Sequence, residues 1–274
     1  MILGAITNSW QRQLPEQALG TLVEEAQRRG ARHVELRATC LGDCETGTEN
    51  EWRPVLSKLQ SLVDQFPDVS FNMAVPFPCL SITVDAKGGK FQAALEAATL
   101  VGRGLPHLRI VDGQAFEQAW ESPNDIPPVA LGIAALTREA AHQGVVFSIE
   151  NVGQPLRSMT MLVREIRARL SVEEGAYLGL CIDLINQLRA FPDSDPLADL
   201  AAMPVEMIKM AHIKQTRDSR PHPTVDTGDL DCRHMFQLLQ SLQYDGPVVL
   251  EIPPHARALE NLSASFAFLQ GGSA

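Results

Sequence analysis

The chain lacks the marks of several large protein classes. No GxGxxG follows its first apolar segment and no GxxxxGK[ST] occurs anywhere, so two phosphate-cradling turns of open α/β sheets are missing. No apolar run approaches the roughly 18 residues that mark a membrane helix. The opening MILGAITNSW has no basic start and soon meets polar residues, unlike a signal peptide. A basic excess is absent too. The 23 Lys and Arg face 33 Asp and Glu, a formal net charge of −10 and the wrong sign for a surface that neutralises phosphates. Nucleic acid and membrane are therefore not expected partners. The five cysteines, Cys40, Cys44, Cys79, Cys181 and Cys232, include no CxxC pair, and no second pair completes a zinc site with Cys40 and Cys44. They read as reduced thiols and the chain as cytoplasmic.

What is present is a repeating alternation. Short runs rich in Val, Ile, Leu and Met cover Ile2–Ile6, His33–Leu36, Val69–Val75, Leu108–Val111, Val145–Glu150, Tyr177–Asp183, Met207–Ile213 and Pro247–Ile252. Several are nearly continuous in apolar residues, as strands buried on both faces should be. Between them lie helical patterns over Pro15–Arg29, Glu51–Gln65, Gly89–Val101, Pro127–His142, Leu156–Leu170, Asp231–Leu242 and Ala256–Leu269, with a weaker one at Pro196–Met203. Strand–helix alternation implies parallel pairing with right-handed crossovers. Eight such units in 274 residues predict an α/β fold, a single (β/α)8 TIM barrel that occupies 1–274 as one domain. Long polar or Pro/Gly-marked stretches at 40–50, 76–87 and 216–229 fit loops above the barrel mouth.

Four of the expected strands end on metal-competent side chains: Glu150 in VVFSIEN, Asp183 in LGLCID, His212 in IKMAHIK and Glu251 in VVLEIPP. Positions 150, 183, 212 and 251 are 33, 29 and 39 residues apart, each about one βα unit with its loop. The C-terminal ends of barrel strands converge on one mouth. Alone, each residue reads equally well as a helix cap, an ion-pair partner or a core histidine. Together, three carboxylates and an imidazole aimed at one centre repel one another unless a cation sits among them. Mixed oxygen and nitrogen donors without thiolate suit Mn2+, Mg2+, Co2+ or Zn2+ alike.

Around these residues, ENVG at 150–153, GLCIDLIN at 179–186, HIK at 212–214, GDLD at 228–231 and GPVVLE at 246–251 resemble the xylose isomerase-like TIM barrel superfamily. That group holds sugar and sugar-phosphate isomerases and epimerases, inosose and dehydroshikimate dehydratases, and endonuclease IV-type enzymes. The resemblance implies one divalent metal, Mn2+ in the ketose 3-epimerase branch, held by Glu150, Asp183, His212 and Glu251. It further implies that Glu150 and Glu251 are the catalytic proton-transfer pair, and that Arg217 is the nearest match to a substrate-binding arginine. It implies a small-molecule sugar, keto-sugar or cyclic polyol as substrate, and allows a homo-oligomer (dimer or tetramer) or a subunit of a larger enzyme. Two departures stand out. Asn186 occupies the place where epimerases carry a histidine, and it can hydrogen-bond a hydroxyl without relaying a proton. His212-Ile213-Lys214-Gln215 replaces the common HxKD.

The expected chemistry is proton abstraction beside a carbonyl, with a metal stabilising the enediolate left behind. Reprotonation on the other face is epimerisation, reprotonation at the next carbon is isomerisation, and loss of a β-hydroxyl is dehydration. Lys214, two residues after His212, faces the same side of its strand and can bind substrate, act as an acid or form an ion pair. Asn186 and Arg217 are further substrate-binding candidates, and Trp10 can wall a sugar face or simply pack in the core. Glu35 and Arg37 read as a structural pair, Asn151 as a support behind the site, and Asp229 as the cap of the helix near Asp231. His222 and His255 read as solvated. Two other classes compete: a phosphodiesterase of the endonuclease IV kind, poorly served by seven histidines and an acidic surface, and a non-catalytic sugar-binding or auxiliary barrel.

Overall fold

The apolar runs are buried on both faces because each strand lies between an outer ring of helices and the inside of a closed barrel. The computed structural model describes residues 1–271. Eight strands make the barrel: β1 (Ile2–Ile6), β2 (His33–Arg37), β3 (Ser70–Pro76), β4 (His107–Val111), β5 (Val146–Glu150), β6 (Leu178–Asp183), β7 (Ile208–Ile213) and β8 (Pro247–Leu250). Every neighbouring pair is parallel, and Ile2 opposite Pro247 with Gly4 opposite His33 closes the ring through β1. The chain is thus a (β/α)8 barrel, and each expected strand is present within two residues of its expected ends.

The helices are α1 (Leu19–Arg28), α2 (Leu56–Gln65), α3 (Gly89–Gly102), α4 (Ile133–His142), α5 (Leu156–Arg167), α6 (Val172–Ala176), α7 (Leu184–Ala190), α8 (Pro196–Ala201), α9 (Cys232–Ser241) and α10 (Ala258–Leu269). Helix α5 shows why they sit where they do. Leu156, Met159, Leu162, Val163 and Ile166 recur at helical spacing and are buried, while Arg157 and Arg164 face water.

Three expected helices begin later than their sequence pattern. Pro15 lies in turns that continue the 3-10 segment Thr7–Trp10, and extended backbone at Ala18 separates it from α1. The Glu51–Gln65 pattern starts as α2 only at Leu56, because Arg53–Pro54 pairs with Glu45–Thr46 and a proline disfavours helix in the residue before it. The Pro127–His142 pattern divides into the 3-10 turn Pro128–Gly132 and α4. Helices α6 and α7 are too short to show a period in sequence, and α7 matters because it starts directly on Asp183.

Inside the barrel the packing is split. Ile6, Cys181, Met210 and Val249 from β1, β6, β7 and β8 form a small apolar cluster separate from the main core. The opposite side is polar, with buried His33, Glu35, Asn72, His107, Arg109 and Ser148 from β2 to β5.

Candidate metal centre

Asp183 ends β6 and also caps α7: its Oδ1 accepts from the Asn186 backbone N–H at 2.9 Å. Asn151 clamps its backbone, donating to Asp183 O at 2.9 Å and accepting from Asp183 N–H at 2.7 Å. One carboxylate oxygen is thereby committed to the fold. The other, Oδ2, is buried and faces the Lys214 ammonium, whose Nζ lies 2.7 Å away as an ion pair.

His212, fully buried on β7, has its Nε2 2.8 Å from Glu35 Oε2. A carboxylate only accepts, so Nε2 carries a proton, and Nδ1 is the atom left to offer a lone pair to an ion. Burial would lower the ring's pKa, but Glu35 and Glu150 outweigh it and hold it well above the ordinary value. That Nδ1 is buried with no hydrogen-bond partner, 3.7 Å from Glu150 Oε1 and 3.6 Å from Glu251 Oε2. Glu35 is held in turn by Arg109, whose Nε and Nη2 donate to its two oxygens at 3.0 and 2.9 Å. Asn72 Nδ2 donates to Glu35 Oε1 at 3.1 Å, and His33 Nε2 lies 2.8 Å from Asn72 Oδ1. A hydrogen-bonded file thus crosses the barrel interior and ends by fixing the orientation of His212.

The two glutamates are anchored differently. Glu150 accepts from Arg109 Nη1 at 2.7 Å and from Asn186 Nδ2 at 2.9 Å, with its side chain only 5% exposed. Glu251 accepts from Asn8 Nδ2 and Lys214 Nζ, each at 2.9 Å, and its side chain is 18% exposed. Burial alone would raise all three carboxylates. Arg109 and His212 overcome it at Glu150, and Lys214 with His212 overcomes it more strongly at Glu251, so both stay below the usual range. At Asp183 burial prevails over Lys214, aided by repulsion from Glu150 and Glu251, and the carboxyl is raised.

One ligand atom from each of Glu150, Asp183, His212 and Glu251 lies within 4.8 Å of the others, a group that could hold a divalent metal. The residues fit such an ion: the buried His212 Nδ1 has no hydrogen-bond partner, and three carboxylates stand around it. The carboxylate behind the histidine has a measurable consequence. Glu35→Gln keeps the shape but removes the charge that fixes the ring, and Mn2+ affinity is expected to fall 10- to 100-fold by isothermal titration. Wild-type affinity in the folded variant would show that Glu35 does not set the ligand.

The other candidates are scattered. Asn186 and Lys214 touch the cluster through Glu150, Asp183 and Glu251. Arg217 does not: it lies exposed on the hairpin Gln215–Arg217/Arg220–His222 and donates to Thr227. Trp10 is fully buried in the main core, because the 3-10 turn after β1 folds its ring inward; it is not an exposed wall for a sugar. Glu35 does not pair with Arg37, since the interior offers it Arg109. The cap of α9 is Asp231, whose Oδ1 accepts from His234 N–H at 2.9 Å. Asp229 instead accepts from the backbones of Asp218 and Ser219 and closes the hairpin, whose turn both residues make with positive φ. Gly228 passes so close to the hairpin that an added Cβ would lie 2.2 Å from Thr216 O. Sequence reading missed Asn8, Asn72, His33 and Arg109. For His33, Asn72 and Arg109 the signal was polar residues two apart in otherwise apolar runs, as in HVELR, SFNMAV and HLRIV; Asn8, in the turn after β1, carried no such signal.

No curated protein matches this sequence significantly. Solved structures do resemble it in fold. The probable 3-DHS dehydratase AsbF from Bacillus anthracis is 14% identical over 100% of both chains, with a TM-score of 0.73. The IOLI protein, solved with a binding zinc atom, is 17% identical over 98% of this chain and 95% of its own, at a TM-score of 0.69. An L-ribulose 3-epimerase is 12% identical over 98% and 93%, at a TM-score of 0.70. Residues 23–270 match the family model described as xylose isomerase-like TIM barrel, and the chain belongs to that family.

Proposed function

We propose that the chain is a divalent-metal-dependent isomerase or epimerase acting on a keto-sugar or polyol by proton abstraction next to a carbonyl. The observation that carries this reading is the convergence of His212 Nδ1, buried without a hydrogen-bond partner, on the same centre as Glu150, Asp183 and Glu251. Glu150, Asp183, His212 and Glu251 would hold the ion, with Mn2+ the expected occupant. When bound, a divalent ion acts as a Lewis acid that makes the C–H beside a substrate carbonyl acidic. The protein supplies the rest. Glu251, the more exposed glutamate and held ionised beside Lys214, removes the proton. Glu150, fixed by Arg109 and Asn186, delivers a proton drawn from solvent to the opposite side, and Glu251 releases the one it removed to solvent. Asn186 orients Glu150 and offers no proton of its own. Fold relatives named as L-ribulose 3-epimerase and D-tagatose 3-epimerase-like protein accord with this chemistry.

Lys214 favours a second reading, dehydration of a keto-polyol. Its ammonium lies 2.9 Å from Glu251 Oε2 and can donate a proton to a departing β-hydroxyl after Glu251 takes the one beside the carbonyl. Both readings share one test. Over a panel of ketoses, ketose phosphates and inososes, excess EDTA is expected to abolish turnover and Mn2+ to restore it. Undiminished turnover by fully demetallated protein would sink both. Product analysis separates them: an epimerase or isomerase run in D2O yields a deuterated isomer, whereas a dehydratase yields a product lighter by one water.

A further inference from the structure

The interior carboxylates are already matched by cations or amides. Glu35 has Arg109 and His212, Glu150 has Arg109 and Asn186, and Asp183 and Glu251 share Lys214. Two cations at the same end of the barrel are left over. Arg37 is the last residue of β2 and follows His33 and Glu35 at two-residue spacing, so it faces the barrel interior as they do. Its only side-chain hydrogen bond is from Nη1 to Ala38 O at 2.8 Å. Among the described residues no carboxylate lies within 4.0 Å of it, and its remaining guanidinium nitrogens reach solvent instead of being sealed in.

Lys90, in the first turn of α3, donates to Pro76 O at the end of β3 at 2.9 Å and lies 4.9 Å from the Phe77 ring centroid. It too has no carboxylate within 4.0 Å among the described residues, Glu49 acting on it only at longer range. Strand β3 is the direct neighbour of β2, with Arg37 opposite Ala74. The two cations are near enough to oppose each other, and Arg37 also lies within electrostatic reach of Glu150, Glu35 and Arg109. Two partly buried cations on adjoining elements at one end of the barrel favour an anion placed between them. A guanidinium with open donors at a pocket edge suits a carboxylate or phosphate.

We propose that the substrate carries an anionic group, carboxylate or phosphate, which Arg37 binds with Lys90 beside it while the rest of the molecule reaches the four-residue cluster. This rests on the reading of that cluster as the reactive end of the substrate site. It places Arg37, and not Arg217, as the arginine that selects substrate. The test titrates Mn2+-loaded protein with D-fructose, with the carboxylate 5-keto-D-gluconate and with D-fructose 6-phosphate. At least one anionic probe is expected to bind about ten- to hundredfold tighter than fructose, as a charge-assisted contact should give. Which of the two does so identifies the group.

In Arg37→Met that preference is expected to fall to about threefold or less, and Arg37→Lys to recover part of it. Wild-type Mn2+ content and melting temperature establish that each variant is folded. Equal binding of all three probes, no binding of the anions, or an unchanged preference in Arg37→Met would overturn the proposal. The two layers of inference fail differently. Sugar binding indifferent to EDTA removes the metal reading, whereas metal-dependent binding without anion preference removes only the role of Arg37.

Discussion

Glu251→Gln is expected to lower kcat by about 10²- to 10⁴-fold, the range for losing a positioned general base. The substitution keeps one of the two contacts that place the side chain, since the amide oxygen can accept from Lys214 or from Asn8 but not from both. It removes the ability to take a proton. An amide is also a poorer ligand, so the measurement belongs at saturating Mn2+ with metal content checked directly. Under those conditions a loss confined to kcat, with KM nearly constant, marks an interaction made in the transition state. Deuterium wash-in from D2O should fall in parallel. If the fully metallated variant kept kcat within about threefold of wild type, Glu251 would not be the base, and its place beside Lys214 would be purely structural.

Arg109→Met should be the most damaging single change to stability, by about 3–5 kcal/mol, because it strands buried charge. The guanidinium is 1% exposed and donates to Glu35 at two positions and to Glu150 at a third. Methionine fills much of the volume but leaves two interior carboxylates without the guanidinium they shared. For a chain of this size the loss corresponds to roughly 10 °C in melting temperature. Adding Glu35→Gln to Arg109→Met should recover part of it, since the second change removes one stranded charge, and the double-mutant cycle reads the coupling. A melting temperature within about 2 °C of wild type in Arg109→Met would show that water or a rearranged partner compensates.

Both predictions concern residues whose visibility in sequence differed. Glu251 stands out because it closes the apolar run GPVVLE in step with Glu150, Asp183 and His212 at the ends of three other runs. Arg109 sits in HLRIV and gives no hint by itself of which carboxylates it serves. Its partners Glu35 and Glu150 are 74 and 41 residues away, and only closure of the barrel brings β2, β4 and β5 to face a common axis. Glu35 illustrates the same limit. Sequence proximity offered Arg37 as its partner, but residues two apart on a strand stack along one face, whereas inward side chains from β2 and β4, with β3 between them, meet inside the closed barrel.

Sequence alone determined the periodic pattern: eight apolar runs, the helices between them, and four metal-competent residues at strand ends. These are local properties, set by burial on both strand faces and by the regular length of a βα unit, so they survive reading along the chain. The tertiary structure decided everything that depends on direction across the barrel. It turned His212 so that Nδ1 rather than Nε2 faces the centre, because Glu35 holds the other nitrogen. It split Asp183 between capping α7 and facing the cluster, buried Trp10, and carried Arg217 out onto a hairpin. It also left Arg37 at the mouth with no carboxylate within 4.0 Å among the described residues. Each outcome is a choice among partners distant in sequence, and such a choice is made only when the ring of strands closes.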